Sequence, residues 1–586
     1  MDTPARFTLT TRYLGALPVV GHFAGRMGLH RLLDAWVPAD DARLALDPAV
    51  VIAAVVANLA IEHRPLYALS EWAAVYEPSL LLLGEDGPGL LNDDRVGRML
   101  DRLFQADRGS LLTELMVGVI AEFGIDCSRL HNDSTSVSVH GTYQAADGED
   151  VAGTPAPAIT RGHSKDHRPD LKQLVFILTV SGDHAVPVIY RLADGNTSDD
   201  PTHIPTWDQL VRLTGGPGFL YVADCKLASE EAMGHIHRGG GRFITVLPRS
   251  RKEDAAFRAW MQDHEPGWAE ALRAPGRIGE PDQVWSTCQA PWPSAEGYRV
   301  VWVHDSGKQL RDAAARARKI EKGVEAIGDD LTGRLSSPRS RLRTAAAVHA
   351  AAEAALADSG AGRWVRFTVT EKIQESFRQT RAGRPGPDTG YRRIEKKTFE
   401  VTCDIDYQQV AYDAVSDGCW PLITNDRDMT GAEVLAAYRY QPNLERRHHL
   451  LKGVQDAAPI WIKTIPRIEA IFLCHFIALL IGALIERQIR MAMKAAEIAR
   501  IPVYPELRGC AAPSADRIFE IFAHVARHEL RDSTGALVQV FEPEFTELQL
   551  KILDLLDVPV TAYTKITEPC PGTANPEENR REKCGT

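Results

Sequence analysis

Apolar residues recur at helical spacing through the first fifth of the chain, then change to strand patterns near residue 125. The run AVVIAAVVANLAIEH follows Asp47-Pro48, an acceptor suited to cap a helix and a proline suited to its first turn. Behind Asn92, the residues Val96, Met99, Leu100 and Leu103 form one helical stripe. Ser110 is read as the cap of a third helix, LLTELMVGVIAEF. Residues 1–124 are therefore expected to be a helical N-terminal domain.

The next stretch, SRLHNDSTSVSVHG, alternates, so Asp133, Thr135, Val137 and Val139 share one face of a strand. After a polar segment (141–172), QLVFILTVSG (173–182) is apolar almost throughout, as a central strand is. AVPVIYRLA (185–193) completes a hairpin behind a Gly-Asp-His turn. A helix over 201–214, a strand FLYVADC (219–225), a helix capped by Ser229 and a strand GRFITVLP (241–248) follow. Three antiparallel strands and then alternating helix and strand is the order of a ribonuclease-H-like fold, an α/β sheet with helices on both faces.

Some 220 residues separate Asp224 from Glu445, far more than one crossover needs, so the core (125–249 and 426–500) is interrupted by a large α+β insertion at 250–425. Within it, YRVVWVHD (298–305) reads as strand and 309–357 as Ala/Arg-rich helix. Residues 363–372 and 391–406 read as strands around a Gly-Pro-rich turn. DGCWPLITND (417–426) returns as a strand, and from Pro442 the pattern is helix again. The apolar run 470–484 falls short of the ~20 residues a membrane span needs and holds His475, so a core helix is predicted within 467–494. Residues 501–565 read as a small helical C-terminal cap, and 566–586 as a disordered tail.

Composition narrows the picture in two ways. A net charge of −11 means that any DNA-binding surface must be segregated. Residues 363–397 offer one, with ten Arg or Lys against four acids and four interspersed aromatics, as does the 161–172 loop with Lys165 and Arg168. Either is equally a solvated, charge-laced loop. The nine cysteines form no C-x-x-C pair, which fits a reducing cytosol and no zinc ribbon.

Two aspartates stand where carboxylates are costly. Asp133 lies within the first core strand, and Asp224 ends the fourth, behind Tyr221-Val222-Ala223. In this topology those strands are neighbours, and the repulsion of two converging carboxylates is relieved by a hard divalent cation. Glu445 and Lys452, two turns apart on one helix face, are a third carboxylate and a phosphate-sized cation. Read alone, that helix is more readily a solvated one.

The order Tyr438, Gln441, Glu445, Lys452 resembles the Y-x2-R-x3-E-x6-K signature of DDE transposases of bacterial insertion sequences, in the IS4-like superfamily. Gln441 departs from it, standing where the signature has arginine; Arg439, Arg446 or Arg447 could supply the missing charge. HNDST is similar to the family's first-aspartate motif and YVADCKLAS to its second, while GHSKDHRPDLKQL and LLNDDRVGRMLDRLF also have counterparts. Together these matches run from about residue 90 to about 560.

The resemblance implies that Asp133, Asp224 and Glu445 are the catalytic residues and hold two Mg²⁺ ions, with Mn²⁺ as a substitute. It implies DNA contacts by Lys452, Tyr438, Gln441, Arg439 and Arg446, with Trp420 either stacking on a displaced base or packed in the core. The activity implied is strand cleavage at element ends and strand transfer into target DNA, by a homodimer or larger assembly in the bacterial cytoplasm, at the nucleoid. A related nuclease without strand transfer and a transposase-derived DNA-binding protein without catalysis are the alternatives.

Overall fold

The computed structural model describes residues 7–565, except 40–43, 142, 144–145, 152, 166, 277–278, 280, 338, 456 and 458–461. The expected disordered tail lies outside the described residues. In chain order the strands are β1 (Thr8–Tyr13), β2 (Arg129–Val139), β3 (Lys172–Ser181), β4 (Pro187–Ala193), β5 (Leu220–Val222), β6 (Arg242–Val246) and β7 (Ala269–Ala274). They continue as β8 (Gln283–Gln289), β9 (Arg299–Asp305), β10 (Val365–Gln379), β11 (Tyr391–Ile405), β12 (Cys419–Thr424), β13 (Ala526–Arg531) and β14 (Leu537–Phe541). The chain divides into two compact units, Met1–Phe243 with Tyr438–Thr586, and Ile244–Ala437.

In the first unit, helix Pro48–Ile61 begins as the pattern predicts, with the Asp47 carboxylate accepting from the Ala49 N–H at 2.8 Å. Asn92 likewise caps Asp93–Gln105. The third helix, Arg108–Phe123, starts earlier than expected, because Asp107 takes the cap position and accepts from the Ser110 N–H at 3.0 Å. Aspartate caps as well as serine and adds a charge that favours a helix N-terminus. These helices pack around Ile465–Ala495, which is long and apolar enough to cross a membrane; 89% of its apolar window is buried inside the protein, as a core helix should be.

Two expectations need correction here. The N-terminal region is not wholly helical, and the region 501–565 is not a purely helical cap: β1 pairs antiparallel with β13, which pairs with β14. The Thr-rich alternation of TLTTRY favours a strand, and Gly535, at φ +85°, turns β13 into β14.

The central strands of this unit run in the order β4-β3-β2-β5. β2 pairs antiparallel with β3 from Leu130↔Ser181 to Val139↔Lys172, and β3 with β4. β5 lies parallel to β2, with Arg129↔Leu220, Leu130↔Tyr221 and His131↔Val222 in register.

The second unit holds a sheet in the order β6-β12-β9-β8-β7, on which Phe257 and Trp302 stack with ring centroids 4.1 Å apart. The single helix expected over 309–357 is two, Ser306–Glu325 and Ala345–Ser359. A π-turn at Ala326–Leu331 and a short helix precede the break, and Thr344 caps the second helix by accepting from the Ala347 N–H. Val348, Ala352 and Leu356 pack with Ile327 and Leu331 beneath the β10–β11 hairpin, where Val365 and Val401 close a small core.

Candidate active site

The β2–β5 register decides where the two aspartates fall. Each pair is offset by 91 residues, so continuing it two positions past His131↔Val222 brings Asp133 level with Asp224. Asp133 is mid-strand on β2; Asp224 has left β5 and caps the short turn Cys225–Leu227, accepting from the Lys226 N–H at 3.0 Å. Burial, foremost, pushes the Asp133 carboxyl up to about 6; Lys165 opposes this, and the charges of Asp224 and Asp199 add to it. Burial also raises Asp224, with the charge of Asp199 adding to it.

Lys165 occupies the middle of this group. Its ammonium lies 3.6 Å from Asp133 Oδ1 and 3.5 Å from Asp199 Oδ2, and donates to the Ser134 carbonyl at 2.6 Å and the Ser134 hydroxyl at 3.0 Å. Ser134 in turn donates to Asp199. The loops carrying Lys165 and Asp199 are sewn together by the buried amide of Gln173, which donates to the Gly195 carbonyl at 2.7 Å and the His163 carbonyl at 3.2 Å. Gly195 permits the seam, since a Cβ there would sit 2.0 Å from the Gln173 carbonyl oxygen.

The signature stretch divides into Gly431–Tyr438 and Gln441–His449, and ends in a π-turn at Leu450–Val454. Tyr438 is half-buried; burial raises its hydroxyl pKa, followed by the charges of Asp224, Cys225, Asp133 and Glu445. The charges of all three predicted carboxylates therefore act on one phenol hydroxyl. Glu445 itself is exposed. Lys452 lies in the π-turn rather than on a continuous α-helical face, and donates to the Ser136 carbonyl on β2 at 3.3 Å. His448, buried edge-on to Phe176 of β3, is pushed down to about 3 by burial and then by Lys165 and Lys452.

A clamp fixes the helix. Arg447 and Glu486 of the long helix pair at 3.0 Å with side chains 4% and 3% exposed. Arg447 also donates to the carbonyls of Ala185 and His184, at the turn between β3 and β4.

The other predicted contacts distribute as follows. Gln441 is turned inward rather than toward a nucleic acid: its amide carbonyl lies 3.2 Å from His131 Nδ1 and its amide nitrogen 3.4 Å from the Asn132 carbonyl, stitching the signature helix to β2. An uncharged amide suits that buried place; a guanidinium would need a counter-charge there. Arg446 is exposed and Arg439 half-buried. Arg168 is held by Asp170 in a two-pronged pair at 2.8 and 2.9 Å. Trp420 is half-buried on β12 of the second unit. Asp199 was absent from the sequence reading; its one signal is the acidic doublet Asp199-Asp200 directly before a helix.

Among the described residues, no three His, Cys, Asp or Glu side chains are gathered closely enough to hold a metal ion as they stand. The donor chemistry nevertheless suits a hard divalent cation: the charges of Asp224 and Asp199 bear on Asp133 and that of Asp199 on Asp224, and Lys165 occupies the place of a cation between Asp133 and Asp199.

Residues 9–117 match the model of DUF4277, a domain of unknown function. Among curated proteins none matches the sequence. Among solved structures, the chain is similar to a piggyBac transposase in a synaptic complex with hairpin DNA. The identity is 7% over 96% of this chain and 84% of that one, and the TM-score of 0.37 is too low to carry an argument about fold or activity.

Proposed function

We propose that the chain is a DDE-type DNA transposase with a ribonuclease-H-like core, cutting element ends and joining them to target DNA. The observation that carries this reading is that the β2–β5 register, continued past the end of β5, brings Asp133 level with Asp224, while the charges of both and of Glu445 act on Tyr438.

In this mechanism Asp133, Asp224 and Glu445 would hold the metal, with Asp199 beside them. Magnesium, when bound, lowers the pKa of an attacking water or 3′-hydroxyl and stabilises the leaving oxygen. Lys165 withdraws from Asp133 to make room, its ammonium then free to face a phosphate. Lys452, anchored on the β2 backbone, neutralises a phosphate beside the scissile bond, and Tyr438 packs along the sugar-phosphate backbone. Water as nucleophile gives nicking; a 3′-hydroxyl gives strand transfer. The Arg447–Glu486 clamp holds the signature helix still while this happens.

The test is cleavage and joining of a duplex bearing the element end, with Mg²⁺. Asp133→Asn, Asp224→Asn and Glu445→Gln should each lose both activities while keeping the native circular dichroism spectrum and Tm. Retained cleavage in any of the three removes that residue from the site. Cleavage without a joined product makes the protein a nuclease. The ungathered carboxylates favour one further reading, a DNA-binding protein without catalysis; wild-type protein that binds the duplex yet leaves it uncut with both Mg²⁺ and Mn²⁺ would establish it.

A further inference from the structure

The β10–β11 hairpin has two faces of different character. Its strands pair over fifteen residues each, from Val365↔Ile405 to Gln379↔Tyr391, so odd-numbered residues share one face and even-numbered residues the other. Near the base, the odd face lies on the small helical core through Val365, Phe367, Val369, Phe399 and Val401. Farther out the same face is exposed, and its cations are neutralised: Lys397 pairs with Glu371 at 2.6 Å, and Arg393 with Glu375 and Glu395.

The even face differs. Lys372 is paired with Glu400 and Arg366 with Asp406, but Arg378, Arg392 and Lys396 are exposed and have no ion-pair partner among the described residues. Arg378 and Arg392 stand directly opposite one another in the register. Like charges in that position destabilise a ribbon, and an isolated two-stranded hairpin is marginal in water to begin with. Arg381 and Arg384 add two more exposed cations in the connecting turn. This concentration occurs in a protein whose net charge is −11.

Resting on the DNA reading above, we infer that the even face of the outer hairpin is a docking surface for the phosphate backbone of duplex DNA. Arg378, Arg392 and Lys396 would contact phosphates, with Arg381 and Arg384 at the tip. A two-stranded ribbon has the width to follow a DNA groove. Cations that repel one another in the free protein are relieved when phosphates come between them.

The experiment measures binding of the full-length protein to a fluorescent duplex over a range of salt. The triple variant Arg378→Gln/Arg392→Gln/Lys396→Gln should lower the slope of log K against log salt by about 2–3, roughly 0.9 per lost phosphate contact. The paired-face variant Arg393→Gln/Lys397→Gln should change it by less than about 1. Tm and circular dichroism exclude unfolding as the cause. A wild-type slope in the triple variant overturns the proposal, as does competition by polyglutamate as effective as by duplex, which would make the partner an acidic protein segment. If the wild type cuts DNA and the triple variant binds normally, only this surface falls. If the triple variant loses binding while Asp133→Asn still cuts, the surface stands and the catalytic assignment falls.

Discussion

Lys165 reaches back from its loop to two carboxylates, whereas Arg378, Arg392 and Lys396 project from β10 and β11 with no ion-pair partner among the described residues. Both regions read alike in the sequence, as basic segments suited to a nucleic acid. Their surroundings separate them. In the first, Lys165 is countered by Asp133 and Asp199 and its hydrogen bonds are spent on β2; in the second, like charges face each other in open water. A positive charge already satisfied positions neighbouring groups, while one left unsatisfied waits for a partner.

The largest break is Glu486→Ala, which strands Arg447 as a buried cation and takes the carboxylate from Arg490. It should cost about 3–5 kcal/mol, read as a fall in Tm, with Arg447→Met/Glu486→Leu recovering only the part due to Arg447. Acid should separate the two regions next. Burial holds His131 and His203 at about 4 and His448 and His475 at about 3, below their unfolded value near 6.5. Stability is therefore full above about 6.5 and falls as pH drops toward 4, by up to about 1.4 kcal/mol per pH unit for each histidine. β10 and β11 contain no histidine. Urea denaturation from pH 7 to 4 checks this, and His475→Leu should flatten the profile.

Gly195→Ala should cost about 1–3 kcal/mol through its clash with the Gln173 carbonyl, and should loosen Lys165 and Asp199 together, seen as faster amide exchange in both loops. Lys165→Met removes the internal cation, so Mg²⁺ affinity measured calorimetrically should rise about five- to tenfold, roughly 1 kcal/mol. An unchanged affinity would mean that Lys165 does not compete for the place. The smallest effect belongs to Arg393→Gln/Lys397→Gln, whose exposed pairs should contribute less than about 1 kcal/mol to Tm.

The strands and both aspartates were legible because alternation and register act locally: β2, β3 and β5 appear where the pattern puts them, and a constant offset carries Asp133 to Asp224. Helix caps were legible too, apart from the competition between Asp107 and Ser110. Long-range pairing was not. β1 finds its partner β13 more than five hundred residues away, and nothing in TLTTRY announces that distance. The role of Lys165 depends on a loop path set by Gln173 and Gly195, and Asp199 is brought by the same path within reach of Ser134 and Lys165. Gln441 reads in the sequence as a substituted phosphate contact, whereas its amide packs against His131 and Asn132 through a pairing that only the fold supplies.

The stitch at Gln173 has a mechanical consequence. One side chain fastens two loops to the end of β3, so neither can swing out without dragging on the other's anchor. Opening this pocket is then a single hinged movement rather than two separate ones, and a ligand that dislodges the ammonium also resets the carboxylate across from it.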